Sequence, residues 1–557
     1  MHDIAAVLKF KGILSKLLLL LLIFLVINSP LIADEVYRLP PIPKEKNNQN
    51  LASIEKIKVI EFIFEGNTVF SDEQLKKITD PFLHQFLSIE QLVEIKHLLT
   101  KFYVDKGYIN SGAILADQKV QAGAIQYNIV EGRLTEIKIH GNQGISTDYL
   151  SAKLEQFNQT KEGTALNLFA LQKNLKLLEQ STLIETIDAQ LNPGLRPGQS
   201  QLDISVKEAK PYRLSLKMDN HRSPSIGAER ALVEFNHNNL FGYGERLFFS
   251  YGFADDKDDY LLSYSMPLDA NKTRAGISIE RDSSSVLTEP FNSLGFSSEL
   301  RRFSTHLSHR FVHKLDEEIT AGVQHSLTRS DTQLLGEPFA FPPGVAEARV
   351  NELSFYVNWV KRDSKQVFAA RGELGFGLPG LNSTERDHDL PDGRFIRWTG
   401  QLQWLQSLPF WSAESLFRLN MQLSNDNLLS MNQFAVGGAN TVRGYRENTL
   451  VRDNGVVASI EAHIPIAQFS IPGLTESSLD SRLKIVPFFD YAYVWNHDDF
   501  LFDPEQIYSV GLGLEWKVDR RLSAEIYWGK DLKKTQLEHD SNIQDKGIHL
   551  QFVLHML

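Results

Sequence analysis

The sequence predicts a mainly β protein, a transmembrane antiparallel β-barrel of about 16 strands preceded by two small α+β modules. Three observations carry this prediction. Apolar and polar residues alternate with period two from Tyr212 to Leu557, without a helical stretch. Before that region, between Ile57 and Lys210, one strand–helix–helix–strand–strand unit occurs twice. The first residues carry an export signal.

That signal is built from Lys9, Lys11 and Lys16, followed by an apolar run from Leu17 to Ile27. Asn28, Ser29 and Pro30 break the run, and Ala33 supplies a small residue before Asp34. Residues 1–33 therefore read as a signal peptide whose apolar core is too short for a stable membrane-spanning helix. Residues 34–56, with Pro40, Pro41 and Pro43, read as a proline-rich periplasmic linker. The chain has no cysteine, so it does not depend on disulfides in an oxidising compartment. A net charge of −11 argues against nucleic acid as a partner. No GxSxG, HExxH, CxxC or phosphate-loop spacing occurs, so no catalytic residue, metal site or cofactor is expected, and no enzyme activity.

The first module spans 57–132. It opens with a strand alternating through Ile57, Val59, Glu61 and Ile63 and turns at Gly66-Asn67. Ser71…Gln74 and Ser88…Gln91 are capping boxes and announce two helices. The second helix repeats Leu92, Ile95, Leu99, Phe102 and Tyr103 along one face and stops at Gly107. Strands are expected at Tyr108–Leu115 and Ala124–Val130. The second module, 133–210, repeats the order. A strand through Leu134, Ile137 and Ile139 ends at Gly141-Asn142, and helices follow near Thr147–Leu154 and at Leu166–Leu178. Strands at Leu183–Leu191 and Gln201–Val206 complete it. A sheet this small leaves one edge free beside a helix, a surface that accepts an added strand. Leu166, Phe169, Leu175, Leu183 and Ile187 are the candidate client-binding groove.

In residues 211–557 the apolar sets are Tyr212, Leu214, Leu216, Met218; then Leu247, Phe249, Tyr251, Phe253; then Leu522, Ala524, Ile526, Trp528; and Ile548, Leu550, Phe552, Leu554. Apolar-out, polar-in strands with aromatic ends are what a membrane barrel requires. In Phe488-Phe489-Asp490 the parity puts Lys484, Phe488 and Asp490 on the luminal face, opposite Ile485, Phe489 and Tyr491.

Gly437-Gly438-Ala439-Asn440-Thr441-Val442-Arg443-Gly444-Tyr445 resembles the VRGY/F loop of outer-membrane transporters that join POTRA domains to a 16-strand barrel. Phe488-x-Asp490 resembles the wall motif of that superfamily. Asn239-Leu240-Phe241-Gly242-Tyr243-Gly244-Glu245 is similar to the segment that begins the barrels of two-partner secretion transporters, with Glu245 in place of the usual aspartate. Gly107-Tyr108, Gln118, Gly123 and Val130-Glu131-Gly132 resemble their first POTRA domain. The resemblance implies that loop 426–453 folds back into the lumen, where Arg443 meets Asp490, with Gly437, Gly438, Val442, Gly444, Tyr445 and Phe488 in support. It implies ATP-independent export of an unfolded exoprotein of the adhesin or haemolysin kind, received by periplasmic POTRA domains. Partners would then be that exoprotein, outer-membrane lipid and, during biogenesis, the barrel-assembly machinery. A barrel-insertion or autotransporter-assembly factor and a general diffusion porin are the alternatives.

Overall fold

A computed structural model describes residues 56–557 except 121, 156–163, 255–257, 270–271, 286–295, 340–344, 387–389, 473–474, 476–480, 498–503, 536–541 and 557. The expected signal peptide and almost all of the linker lie outside the described residues.

The first module comprises β1 (Ile57–Lys58), β2 (Glu61–Glu65), α1 (Asp72–Thr79), β3 (Phe86–Leu87), α2 (Ile89–Asp105), β4 (Gly112–Ile114) and β5 (Ala124–Val130). Both capping boxes form: Ser71 N donates to Gln74 Oε1 at 3.0 Å and Ser88 N to Gln91 Oε1 at 2.9 Å. β2, β5 and β4 make one sheet, whose buried Phe62, Phe64, Ile125, Tyr127 and Ile129 pack against Leu92, Ile95, Leu99 and Tyr103 of α2.

Two expectations for this module need correction. The opening strand is not one alternating run. β1 pairs with β3 and β2 pairs with β5, so the chain changes sheets between them. The phase shifts there: Val59 is buried, but then Phe62 and Phe64 face the core while Ile63 is exposed. Likewise the strand expected from Tyr108 begins only at Gly112. Tyr108 is drawn instead onto the rings of Phe70 and Tyr103, at 5.6 and 6.2 Å, after Gly107 turns the chain.

The second module comprises β6 (Arg133–His140), α3 (Thr147–Glu155), α4 (Leu168–Glu179), β7 (Ile184–Pro193) and β8 (Gln199–Glu208), with sheet order β6-β8-β7. A bulge between Leu134 and Glu136 explains how Leu134 and Ile137, of opposite parity, both reach the core.

The copies share one turn device. Gly66 and Gly141 have φ of 89° and 84°, and a Cβ would lie 2.5 Å from Ile129 O in the first and 2.4 Å from Val206 O in the second. Beside each turn, a carboxylate from the end of the neighbouring strand takes up the free amides. Glu131 accepts from Thr68 N at 2.8 Å and Val69 N at 2.9 Å. Glu208 accepts from Gln143 N at 2.7 Å and Ile145 N at 2.8 Å. The modules are also joined end to end. Asn167 caps α4 through Ala170 N at 3.1 Å, while its Nδ2 donates to Lys106 O, at the end of α2, at 2.9 Å.

The barrel wall runs through β9 (Tyr212–Asp219), β10 (Arg230–His237), β11 (Arg246–Phe253), β12 (Asp258–Pro267), β13 (Thr273–Ser285), β14 (Ser297–His313) and β15 (Glu317–Leu334). A short β16 (Glu337–Pro338) folds back on β15. The wall continues with β17 (Glu347–Arg362), β18 (Gln366–Leu378), β19 (Phe395–Ser407) and β20 (Glu414–Ser424). Two short strands, β21 (Phe434–Val436) and β22 (Leu450–Arg452), pair only with each other. The wall resumes with β23 (Asn454–Phe469), β24 (Ser481–Trp495), β25 (Gln506–Lys517), β26 (Leu522–Asp531) and β27 (Ile548–His555). β27 pairs with β9, closing a 16-strand antiparallel barrel without a free edge.

Alternation holds around the wall. Phe249, Ile279, Phe303, Phe355, Trp398, Val510 and Ile526 are exposed on the outside, whereas Ser250, Ser304, Ser354, Glu461 and Asp490 are buried within. Module two meets the barrel at the turn before β11. Ser146 N donates to Gly242 O at 2.9 Å, and Asn239 Nδ2 to Gly144 O at 2.9 Å. Glu245, where the resemblance expects an aspartate, closes that turn by accepting from Phe241 N at 3.2 Å and Tyr243 N at 3.3 Å.

Candidate functional site: a loop held in the barrel lumen

The segment between β20 and β23 leaves the outer rim and turns back into the lumen. Its base is secured by Asp453, whose carboxylate accepts from Leu428 N at 3.0 Å, Gln433 Nε2 at 2.9 Å and His497 N at 3.1 Å. The β21–β22 pairing narrows the segment to a hairpin whose tip, residues 437–449, carries the glycine-rich motif. Gly438 has φ 100°, and a Cβ there would meet the Glu447 carboxylate at 2.0 Å. That carboxylate accepts from Ala439 N at 2.7 Å and closes the tip on itself. Gly444, φ 95°, lies directly on the backbone of Gly529 in β26; a Cβ there would come within 2.8 Å. A side chain at Gly438 would push Glu447 out of the tip, and one at Gly444 would hold the loop off the wall.

Between these glycines stands Arg443, only 2 % exposed. Its Nε donates to Asp490 Oδ2 and its Nη2 to Asp490 Oδ1, both at 2.8 Å, and its backbone N reaches Oδ2 at 3.0 Å. This is the two-toothed geometry that a planar guanidinium makes with a carboxylate. The parity of β24 turns Asp490 inward, where it is fully buried. Phe488 shares that face and lies under the guanidinium, 3.7 Å from its carbon to the ring centroid. Val442 is buried among Val436, Val457, Ala492, Val494 and Ile507. The Tyr445 hydroxyl donates to Lys533 O at 2.7 Å, with Tyr508 O also within reach at 3.0 Å, and accepts from Lys533 N at 3.1 Å. Gly437, φ 108°, turns the chain into the tip.

Several partners in this network are not apparent from the motifs. Arg443 Nη1 donates to Glu461 Oε2 at 2.6 Å and Nη2 to Ser459 Oγ at 3.1 Å; Ser459 in turn donates to Asp490 at 2.6 Å. Glu461 also accepts from Arg418 at 3.0 Å, and the two nitrogens of His463 face Glu461 and Glu515 at 3.2 and 3.1 Å. The Tyr527 ring lies 4.9 Å from the guanidinium carbon, beside Phe488, with the two ring centroids 6.0 Å apart. The signal that could have found them is the strand parity of β23, which sends Ser459, Glu461 and His463 inward together. Cation and carboxylate alternate from Arg418 through Glu461 and Arg443 to Asp490, so each of these four charges faces an opposite one.

The five groove candidates do not lie together on an open surface. Leu166 and Leu183 belong to the core of module two and are unavailable to a client. Helical spacing turns Leu175 partly into that core, and Ile187 packs against it from β7. Phe169 alone of the five is widely exposed, at 57 %, on the first turn of α4 beside Gly107. β7 is an edge strand: it pairs with β8 on one side and has no strand on the other among the described residues.

A closed barrel with periplasmic α+β modules at its inner mouth and an arginine-anchored loop in its lumen defines a POTRA-bearing outer-membrane transporter. Residues 198–516 match the family described as haemolysin secretion/activation protein ShlB/FhaC/HecB, and residues 57–132 match the ShlB-type POTRA domain. The chain belongs to that haemolysin secretion/activation family and is an outer-membrane transporter of secreted protein. It is 23 % identical to the outer membrane transporter CdiB of Escherichia coli over 82 % of this chain and 76 % of that one. It is 22 % identical to the heme/hemopexin transporter protein HuxB of Haemophilus influenzae, over 89 % and 86 %. The solved structure of CdiB from Escherichia coli superposes with a TM-score of 0.67 at 19 % identity, covering 90 % of this chain and 91 % of that one. BamA from Haemophilus ducreyi lacking POTRA domains 1-3 superposes with a TM-score of 0.55 at 15 % identity, a likeness of fold.

Proposed function

We propose that this protein receives one unfolded exoprotein in the periplasm on its POTRA modules and passes it outward through the barrel, with the Arg443 loop as the movable element that sets whether the lumen conducts. The observation that carries this reading is the buried Arg443–Asp490 pair, because it ties a segment that is not part of the wall to the inner face of the barrel. The relatives CdiB, HuxB and the hemolysin transporter HpmB are named as transporters, the last two for heme/hemopexin and hemolysin; the client here is a protein of comparable destination. The edge of β7 is the part of module two suited to take a strand from an extended chain, since main-chain pairing needs no particular client sequence. No nucleotide-binding loop occurs in the sequence, and folding of the client outside supplies the bias outward. Lipid surrounds the apolar outer face, and the barrel-assembly machinery inserts the protein.

The test compares the proteins in the medium of cells with and without this transporter. The expected result is the loss of one large secreted protein and its retention inside the cell, restored by the intact gene. An unchanged medium, or a general loss of outer-membrane barrels, would overturn the proposal in favour of a porin or an insertion factor.

A further inference from the structure

The ladder that closes the barrel is, among the described residues, the shortest in its wall. β27 and β9 share five residue pairs, against seven between β26 and β27 and sixteen between β14 and β15. Its inner end is continued by ordinary backbone bonding, Met556 N to Leu214 O at 2.8 Å. Its outer end has one long backbone bond, Asn220 N to Leu550 O at 3.3 Å, and is otherwise sewn by side chains. Asn220, just past β9 and fully buried, acts as an added ladder residue: its Nδ2 donates to Ile548 O at 3.0 Å and its Oδ1 accepts from Leu550 N at 2.8 Å.

Asn220 is held in turn by the 3-10 turn Ile543–Lys546 that leads into β27. The fully buried Gln544 donates from Nε2 to Asn220 O and, at 2.7 Å, to Arg222 O. Its other amide atom, Oε1, accepts from Glu447 N of the luminal loop at 3.0 Å. Next to it, Asp545 binds Arg446 of the same loop through both carboxylate oxygens, Oδ2 from Nη2 at 2.8 Å. Beneath the turn, Gly529 N of β26 donates to Gly547 O at 2.8 Å, and a Cβ on Gly547 would meet Gly529 first and Gly444 Cα of the loop at 3.4 Å, so the turn packs on the wall and on the loop backbone together. The loop therefore reaches the outer ends of both closing strands through one turn.

We infer that Gln544 and the Arg446–Asp545 pair are positioning residues that clasp the luminal loop to both strands of the closing ladder, so that withdrawal of the loop and opening of the ladder's outer end are a single coupled event. When the loop leaves, Gln544 loses Glu447, Asp545 loses Arg446, and the turn keeps only its wall contact at Gly529. The bonds to Asn220 and Arg222 then hang from a turn that has lost its loop-side supports. Coupling of this kind is reciprocal: whatever frees the ladder also loosens the loop. The inference concerns the barrel alone and does not rest on what it exports.

Hydrogen exchange of the full-length protein in lipid nanodiscs tests it. In Gln544→Ala and in Arg446→Ala, amides of 216–220 and 548–551 and those of the loop tip 439–447 should exchange roughly tenfold faster, while β13–β15 stay unchanged. Unchanged ladder exchange in both variants, or an equal rise around the whole wall, would overturn the clasp. Should the Gln544 variant not insert, a second arrangement decides. Lys217 and Val553 are register partners across the closing ladder, and the chain has no native cysteine, so Lys217→Cys with Val553→Cys gives a clean cross-link. Added to Arg446→Ala, the oxidised cross-link should return loop exchange towards the unsubstituted level and the reduced form should not. Equal loop exchange in both forms would sink the coupling.

Discussion

Arg443 has more partners than its motif implies, and that sets the order of damage expected from substitution. Arg443→Ala leaves two buried carboxylates, Asp490 and Glu461, without their shared cation. Asp490→Ala leaves Arg443 with Glu461 and Ser459. Breaking a buried pair by removing one member costs up to roughly 3–5 kcal/mol, because the remaining charge is stranded away from water. Both substitutions should lower exported client per inserted barrel, Arg443→Ala the more strongly, while surface insertion persists. Arg443→Lys should restore only part of the export, since an ammonium cannot span both oxygens of Asp490 and reach Glu461 as well. The double variant should be little worse than Arg443→Ala alone. Strictly additive losses across the cycle would show that the two residues act separately.

At the scale of elements, the paired modules use one carboxylate each to hold the turn that follows their first strand. Glu131 is the better satisfied, because the Tyr103 hydroxyl of α2 also donates to it, at 3.0 Å, and so ties helix to turn. Burial by itself would raise the pKa of Glu131, but the hydrogen bonds from Thr68, Val69 and Tyr103 outweigh it and hold the carboxyl below 4.5. A folded-state pKa below the unfolded one contributes stability that is present above the unfolded value and is lost as pH falls through the folded one. Protection of the α2 amides, their exchange measured against the intrinsic rate at each pH, should therefore fall as the pH is lowered beneath about 4.5. Glu131→Gln should already exchange faster at neutral pH and lose that part of the acid dependence. An acid profile identical in the two proteins would mean that Glu131 does not tie α2 to the turn.

For the whole molecule, the wall makes a demand that single cysteines can check. Probes confined to lipid should label cysteine at Leu216, Phe249 or Ile526, and aqueous probes should label it at Lys217 or Glu525, because a one-residue slip in register would exchange the two faces. Interchanged labelling on most strands would refute the membrane wall. Removing residues 57–132 should leave a barrel that inserts but no longer exports. The cut also takes away Gly132 O, the acceptor of Leu166 N at 2.7 Å, and the α2 end that Asn167 caps, so integrity of module two must be checked by its own amide exchange. Export at the normal level after this deletion would reduce the first module to a spacer.

Periodicity, turns and caps are local properties, and they were legible from residue order. The alternation through β9, β11, β26 and β27, the Gly66-Asn67 and Gly141-Asn142 turns, and the Ser71 and Ser88 caps follow from neighbours a few positions apart. The inward direction of Asp490 came from parity alone, whereas its approach to Arg443 rested on resemblance to a family. Other features needed the folded chain. The phase change between Val59 and Phe62 depends on a second sheet, formed with the strand Phe86–Leu87, which lies about thirty residues downstream. Leu166 and Leu183 looked like groove residues because sequence shows that a position is apolar but not which of two apolar surfaces it will join. The clasp at Gln544 joins residues more than three hundred positions apart to a loop nearly one hundred away, and closing the barrel is what makes them neighbours. Such contacts carry no periodic signal, because their geometry is set by how the sheet curls and not by the residues on either side.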